Sequence, residues 1–137
     1  MKIKSKKSFT IIESLIAIFI LEIGILGISN VYANSFKTAR VARNETIASN
    51  LASGLLDEEL ANSYDSLTIA VGTKTRYSTV PSDPFYEWEK KIDVAYVDAN
   101  LAEQVAETNM KKIVVTIYWK EGSSDKSFQI ATIKAKH

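Results

Sequence analysis

The chain has 137 residues, 46% of them hydrophobic and 24% charged, with 17 basic and 16 acidic side chains and a formal charge of +1. That length supports one domain with a small soluble core. The absence of cysteine removes disulfides, thiolate metal sites and cysteine nucleophiles together, so packing alone must hold the fold.

Lys2, Lys4, Lys6 and Lys7 lead without a break into an apolar run from Phe9 to about Ile28 that carries only two acids, Glu13 and Glu22. Basic residues keep a segment end in the cytoplasm, and about 20 apolar residues suffice to cross a bilayer. The stretch is therefore predicted as a membrane span entered from the cytoplasmic side. Glu13 is at odds with a plain anchor. A carboxylate at that depth costs roughly 2.5–3.5 kcal/mol on insertion scales and calls for a compensating partner. A conventional secretory signal also opens with lysines, but its apolar core is about 7–15 residues long and ends at a small-x-small site. Here the run is longer, and Ser29-Asn30-Val31-Tyr32-Ala33-Asn34-Ser35 offers only a weak site of that kind.

From Phe9 to Ala61 there is no proline, and glycine occurs only at Gly24, Gly27 and Gly54. Ile47, Leu51 and Leu55 fall at i, i+4, i+8, flanked by Ala48 and Ala52, which is one face of an amphipathic helix. Asn44, Asn50, Asp57 and Glu58 form the other face, with Arg40 and Arg43 on the exposed flank. One helix over about 9–61 is predicted, its first half transmembrane. At 1.5 Å per residue, about 50 residues give about 75 Å. A coiled-coil stalk is disfavoured because Arg40 and Arg43 interrupt the heptads, so the apolar stripe needs a sheet to cover it.

Asn62 to Ser66 is a turn, and Leu67 to Val71 is a turn or irregular edge segment. Thr75 to Val80 is predicted as a first strand, before a loop marked by Pro81, Ser82, Asp83 and Pro84. Over Tyr86 to Val97, Tyr86, Trp88, Ile92, Val94 and Tyr96 alternate with Glu87, Glu89, Lys91 and Asp93, and Lys90 is the only charge on the apolar face. Asp98 to Asn109 is polar, with Leu101 and Val105 spaced for one or two helical turns. Lys111 to Trp119 alternates again, with Ile113, Val115, Ile117 and Trp119 on one face. A hairpin loop at Glu121 to Asp125 leads to a last strand over Ser127 to Ala135, with Phe128 and Ile130 apolar. The predicted fold is α+β, a long helix packed on a small antiparallel sheet.

No residue set recommends catalysis. The single histidine is His137, the last residue; no His or carboxylate cluster has metal-ligand spacing, and no Gly-rich loop opens a helix after a strand. Glu87 and Glu89 read as a solvated strand face. No catalytic residue, cofactor or metal is predicted. Trp88, Trp119, Tyr86, Tyr96 and Tyr118 are read as core and sheet-face packing, with an aromatic binding surface as the alternative.

Ser8-Phe9-Thr10-Ile11-Ile12-Glu13 resembles the processing site of class III signal peptides, found in type IV pilins and type II secretion pseudopilins. The resemblance implies a pilin-like fold and cleavage between Ser8 and Phe9 by a membrane-embedded prepilin peptidase, with N-methylation of Phe9. It also implies that Glu13 pairs with the amino terminus of a neighbouring subunit, which is the compensation the carboxylate requires. Ser8 stands where the family usually has Gly, a departure that keeps a small side chain. The implied organisation is a leader over 1–8, a transmembrane segment over 9–28, an amphipathic continuation over 29–61 and a sheet domain over 62–137. Removing four lysines leaves 13 basic against 16 acidic side chains, a balance of −3, without the basic bias usual in nucleic-acid binders.

Trp88 in a strand, the run Val114-Val115-Thr116-Ile117-Tyr118-Trp119 before a hairpin, and Ile23-Gly24-Ile25-Leu26-Gly27 are similar to minor pilins of the PilV type. Asn30 stands where many major pilins carry a kinking proline, which also points to a minor subunit. Glu22 lies nine residues after Glu13, about 2.5 turns, so the two carboxylates project from opposite sides of the helix. Glu22 either snorkels to the outer interface or makes a polar contact with another subunit helix near Gly24 and Gly27, whose spacing is not GxxxG.

The function expected is that of a minor type IV pilin, made in the cytoplasmic membrane with its N-terminus in the cytoplasm and moved to a pilus at the cell surface. Its implied partners are the prepilin peptidase, other pilins or pseudopilins and the inner-membrane assembly platform. The alternatives are a type II secretion pseudopilin in the periplasm and, from another class, an uncleaved single-pass anchor carrying an extracytoplasmic binding module.

Overall fold

The structure, a computed structural model, describes residues 10–136. The predicted leader, the Ser8-Phe9 junction and His137 lie outside the described residues, as does the Asn30 side chain. One helix, α1 (Ile11–Ala61), is followed by strands β1 (Thr75–Arg76), β2 (Glu89–Val97), β3 (Glu103–Gln104), β4 (Met110–Glu121) and β5 (Ser124–Ala135). The architecture is α+β. The chain divides at Arg40 into two compact units. The first is, among the described residues, Thr10 and the opening part of α1; the second is the rest of α1 and the sheet.

Thr10 starts α1 as its N-cap. The Glu13 N–H donates to the Thr10 hydroxyl at 3.4 Å and to its carbonyl at 3.1 Å, satisfying one of the donors that a helix start leaves free. From there the helix runs without interruption to Ala61.

In the second unit the five strands form one antiparallel sheet in the order β1-β2-β4-β5, with β3 paired to the far end of β2. β4 is central, so its alternation has the least freedom. Ile113, Val115 and Ile117 are fully buried and Trp119 nearly so. They pack in one cluster with Ala48, Ala52, Leu55 and Leu56 of α1, and with Leu67 and Val94. Phe128 and Ile130 of β5 border that cluster. The apolar stripe of the later helix is thus covered by the sheet. On the opposite face Val114 and Thr116 are also buried, because β4 is flanked by strands on both sides.

Three sequence expectations are corrected. The first strand is only Thr75–Arg76, because the chain turns away after Tyr77 donates to the Trp88 carbonyl at 2.7 Å. The next strand begins at Glu89 rather than Tyr86. Asp83, Tyr86 and Trp88 donate in succession to the carbonyls of Val80, Asp83 and Phe85, closing turns where pairing was expected. Leu101 and Val105 form no helical turn. The Asp98 carboxylate instead accepts from the N–H groups of Asn100 at 2.8 Å and Ala102 at 3.0 Å, which bends the chain so that Glu103–Gln104 folds back along Tyr96 and Val97. Leu101 takes a left-handed φ of 64° in that bend. These bonds, the one from Ala102 foremost, hold the Asp98 carboxyl below its ordinary value.

The β4–β5 hairpin closes tightly, pairing Glu121 with Ser124 around Gly122 and Ser123. Gly122 has φ 62°, the positive value a two-residue hairpin turn needs at its first central position. The long loop before β2 is pinned to the core by aromatic contacts. Tyr77 meets Phe85 edge to face, Phe85 meets Trp88 likewise, and Trp88 stacks on Trp119 with centroids 5.4 Å apart. Of the aromatic residues read from the sequence as packing residues, Trp88 and Trp119 stack on one another here, and Tyr77 and Phe85 join them.

Gly72 lies against β2, its N–H donating to the Asp93 carboxylate at 2.9 Å, and a Cβ there would collide with the Ile92 carbonyl. At Gly54, inside α1, a Cβ would meet nothing. Gly72→Ala should therefore destabilise the protein by about 1–3 kcal/mol, whereas Gly54→Ala should leave stability unchanged or raise it by up to about 1 kcal/mol. Thermal unfolding of the detergent-solubilised chain checks both, and equal effects would contradict the packing described.

Candidate functional site

The surface of α1 through Phe36 is unlike that of a water-soluble helix. Ile11, Phe19, Leu26 and Phe36 are 84%, 63%, 66% and 69% exposed, and every large apolar side chain between them is exposed too. Isolated exposed leucines are ordinary, but a helix that is apolar all round is a membrane span or the core of a larger assembly. This is one helix near the N-terminus, long and apolar enough to cross a membrane. Its hydroxyls bond within the helix. Ser14, Ser29, Ser35 and Thr38 each donate to the carbonyl four residues back, at 3.5, 2.9, 2.8 and 3.0 Å. Each thereby carries its own partner.

Glu13 and Glu22 are the acids in this surface, and both are exposed. Nine residues of helix separate them, so they project from opposite sides. Among the described residues neither carboxylate has an ion-pair partner. Glu13 occupies the third position after the Thr10 cap, where the N-terminal end of the helix dipole favours an acid. Thr10-x-x-Glu13 is also the spacing of a capping box, a helix-start signal readable from sequence. A cap, however, requires no burial in an apolar run, and it leaves the cost of Glu13 in lipid unanswered. Gly24 and Gly27 have open space beside them, enough for another helix to approach.

A second feature was missed by sequence reasoning. The last turn of α1 contains no basic residue, so nothing on the helix itself answers its C-terminal carbonyls. Strands β4 and β5 supply the cations. Lys111 is 4% exposed, and its Nζ donates to the carbonyls of Tyr64 and Leu67 at 2.7 Å each while lying 4.2 Å over the Tyr64 ring. Lys134, its direct cross-strand partner, donates to the carbonyls of Leu60 and Asn62. Two lysines opposite one another would ordinarily repel. Here both point at carbonyls of the helix end and the turn after it. Lys136 adds ion pairs to Glu107 at 3.1 Å and Asp65 at 3.5 Å, and the Glu107 bond foremost raises its pKa. The readable signal was a lysine on the apolar register of each strand, Lys111 with Ile113 and Lys134 with Thr132 and Ile130.

The sheet unit also holds a shallow cleft of about 340 Å³ beside Tyr86, Tyr118 and Trp119. Its aromatic faces are already occupied. Lys74 Nζ lies 3.7 Å from the Tyr118 centroid, and the Arg76 guanidinium lies 4.1 Å from that of Tyr86. Among the described residues no group of three His, Cys, Asp or Glu side chains is placed to hold a metal.

No family model, curated protein or solved structure matches the chain. The functional reading therefore rests on residues and geometry.

Lys111→Met keeps most of the side chain's length but takes the ammonium from the Leu67 carbonyl and from the Tyr64 carbonyl, which retains the Leu67 N–H at 3.4 Å, so it should cost about 1–3 kcal/mol. Lys112→Met removes only a partly exposed pair with Glu103 at 3.5 Å and should cost less than about 1 kcal/mol. Thermal melts of the two variants in detergent distinguish a clamp on the helix end from a dispensable lysine.

Proposed function

We propose that the chain is a minor type IV pilin, a structural subunit that enters or primes a pilus-like filament through its N-terminal helix. The observation that supports it best is an uninterrupted helix whose first part exposes apolar side chains all round, with an acid in its first turn that has no ion-pair partner among the described residues. In this reading the precursor spans the cytoplasmic membrane with its N-terminus inside. Prepilin peptidase cuts after Ser8 and methylates Phe9, and the assembly platform moves the helix from lipid into a bundle of other pilin helices. The sheet faces outward as the interaction surface. The role is assembly, not catalysis.

The physics of Glu13 gives this mechanism its register. A lone carboxylate and a lone amino terminus are both costly in an apolar medium, and pairing them between neighbouring subunits answers both costs at one axial offset. Glu22 is treated similarly. The exposed apolar surface continues past Ile28 to Val31, Tyr32 and Phe36, so Glu22 stands about 17 Å from Ile11 and about 14 Å from Val31 along the helix. That is close to the middle of a bilayer, too deep for a short glutamate to snorkel out. This favours a polar contact with a second subunit helix.

Glu13→Ala should leave membrane insertion intact while lowering incorporation into filaments by about 100-fold, the equivalent of about 2.5–3.5 kcal/mol. Immunoblots of sheared filaments and membrane fractions measure the two separately, and normal incorporation of Glu13→Ala would remove the pairing role. For Glu22→Ala, weaker recovery in complexes with other pilin subunits is expected; unchanged complex formation and assembly would return Glu22 to the interface.

A further inference from the structure

Beyond Val31 the surface of α1 changes character within about two turns. Tyr32 and Phe36 are adjacent on one face, with ring centroids 5.9 Å apart. Lys37 and Arg40 follow, both exposed, and among the described residues neither is ion-paired to a carboxylate. Tyr32, Phe36 and Arg40 fall at i, i+4, i+8, which places them in one row along the helix.

The rise of the helix says where this row lies in a membrane. Ile11 to Val31 spans about 30 Å, the hydrocarbon thickness of a typical bilayer. Tyr32 and Phe36 then fall at the water boundary, where amphipathic aromatic side chains concentrate. Lys37 starts about 9 Å beyond Val31. Helix side chains lean towards the N-terminus, which for this helix is back towards the bilayer. The ammonium of Lys37 and the guanidinium of Arg40 therefore reach down to the level of lipid phosphates rather than up into solvent. Arginine offers paired N–H donors that match phosphate oxygens, and the lysine adds a mobile charge.

We infer that Tyr32, Phe36, Lys37 and Arg40 form a collar that grips the outer leaflet through the phosphates of anionic phospholipids. The inference rests on the proposed membrane-spanning precursor and adds to it. Cleavage after Ser8 would remove Lys2, Lys4, Lys6 and Lys7, the basic residues of the inner side. The collar is then the remaining basic hold at the edge of the apolar run. It fixes the depth at which the processed N-terminus and Glu13 wait, and it sets a lipid-dependent resistance that extraction into a filament must overcome.

The absence of cysteine makes single-site labelling clean. The full-length chain carrying Asn34→Cys with a spin label is reconstituted in phosphatidylcholine vesicles with and without phosphatidylglycerol. Accessibility of the label to a water-soluble nickel chelate is then read. Phosphatidylglycerol should lower that accessibility at least about twofold, because each basic side chain near an anionic surface shifts the balance by about fivefold. The response should vanish in Lys37→Gln/Arg40→Gln and be largely kept in Arg40→Lys. An identical accessibility in the two lipids, or an undiminished response in the double glutamine variant, overturns the collar. A second label at Ile20→Cys separates the layers of the claim. If it is shielded from the chelate while Asn34→Cys ignores phosphatidylglycerol, the collar alone fails; if it is open to the chelate, the spanning reading fails and the collar with it.

Discussion

Apolar side chains of α1 must be kept from water along the whole helix, and the chain provides cover for only part of it. After Val41 the cover is internal: Ala48, Ala52, Leu55 and Leu56 pack in one cluster with Ile113, Val115, Ile117 and Trp119 of β4. Up to Phe36 nothing in the chain covers the exposed isoleucines, leucines and phenylalanines among the described residues. That uncovered surface is the constraint from which the functional reading follows. Lipid satisfies it at no cost to the chain, and a bundle of like helices satisfies it equally. The two acids distinguish those settings, since lipid offers a carboxylate no partner whereas a polar group on an adjacent helix would.

The sheet unit faces a smaller version of the same problem at the end of the helix. Carbonyls from Leu60 to Leu67 leave the helical pattern beside a buried core, and an unpaired buried carbonyl is costly. Lys111 and Lys134 meet four of them from two neighbouring strands. The clamp ties the end of α1 to the central and outer strands without using a disulfide, which a cysteine-free chain cannot form. Stacking of Trp88 on Trp119 does the same for the long loop before β2.

Much of the architecture was legible in the residues. The lack of proline from Phe9 to Ala61 and the spacing of Ile47, Leu51 and Leu55 placed α1, and strict alternation from Ile113 to Trp119 placed the strand that proved central. What escaped depended on polar groups finding backbone partners. Leu101 and Val105 have helical spacing, yet spacing says nothing about Asp98 capturing the amides of Asn100 and Ala102. Lys111 and Lys134 look misplaced in a pattern until the carbonyls they serve are known. At the candidate site the reverse holds. Glu13 was conspicuous in sequence because it interrupts an apolar run, and the geometry adds its place beside the Thr10 cap and its lack of an ion-pair partner among the described residues. The Ser8-Phe9 junction lies outside them, so its reading stays with the motif.

The central claim is that the exposed start of α1 becomes the head of a mature filament subunit rather than a permanent anchor. The most direct measurement is the intact mass and N-terminal sequence of the protein recovered from cells with and without prepilin peptidase. The account predicts a chain beginning at methylated Phe9 when the peptidase is present and at Met1 when it is absent. A chain that retains Met1 and the four leader lysines in both cells would contradict it.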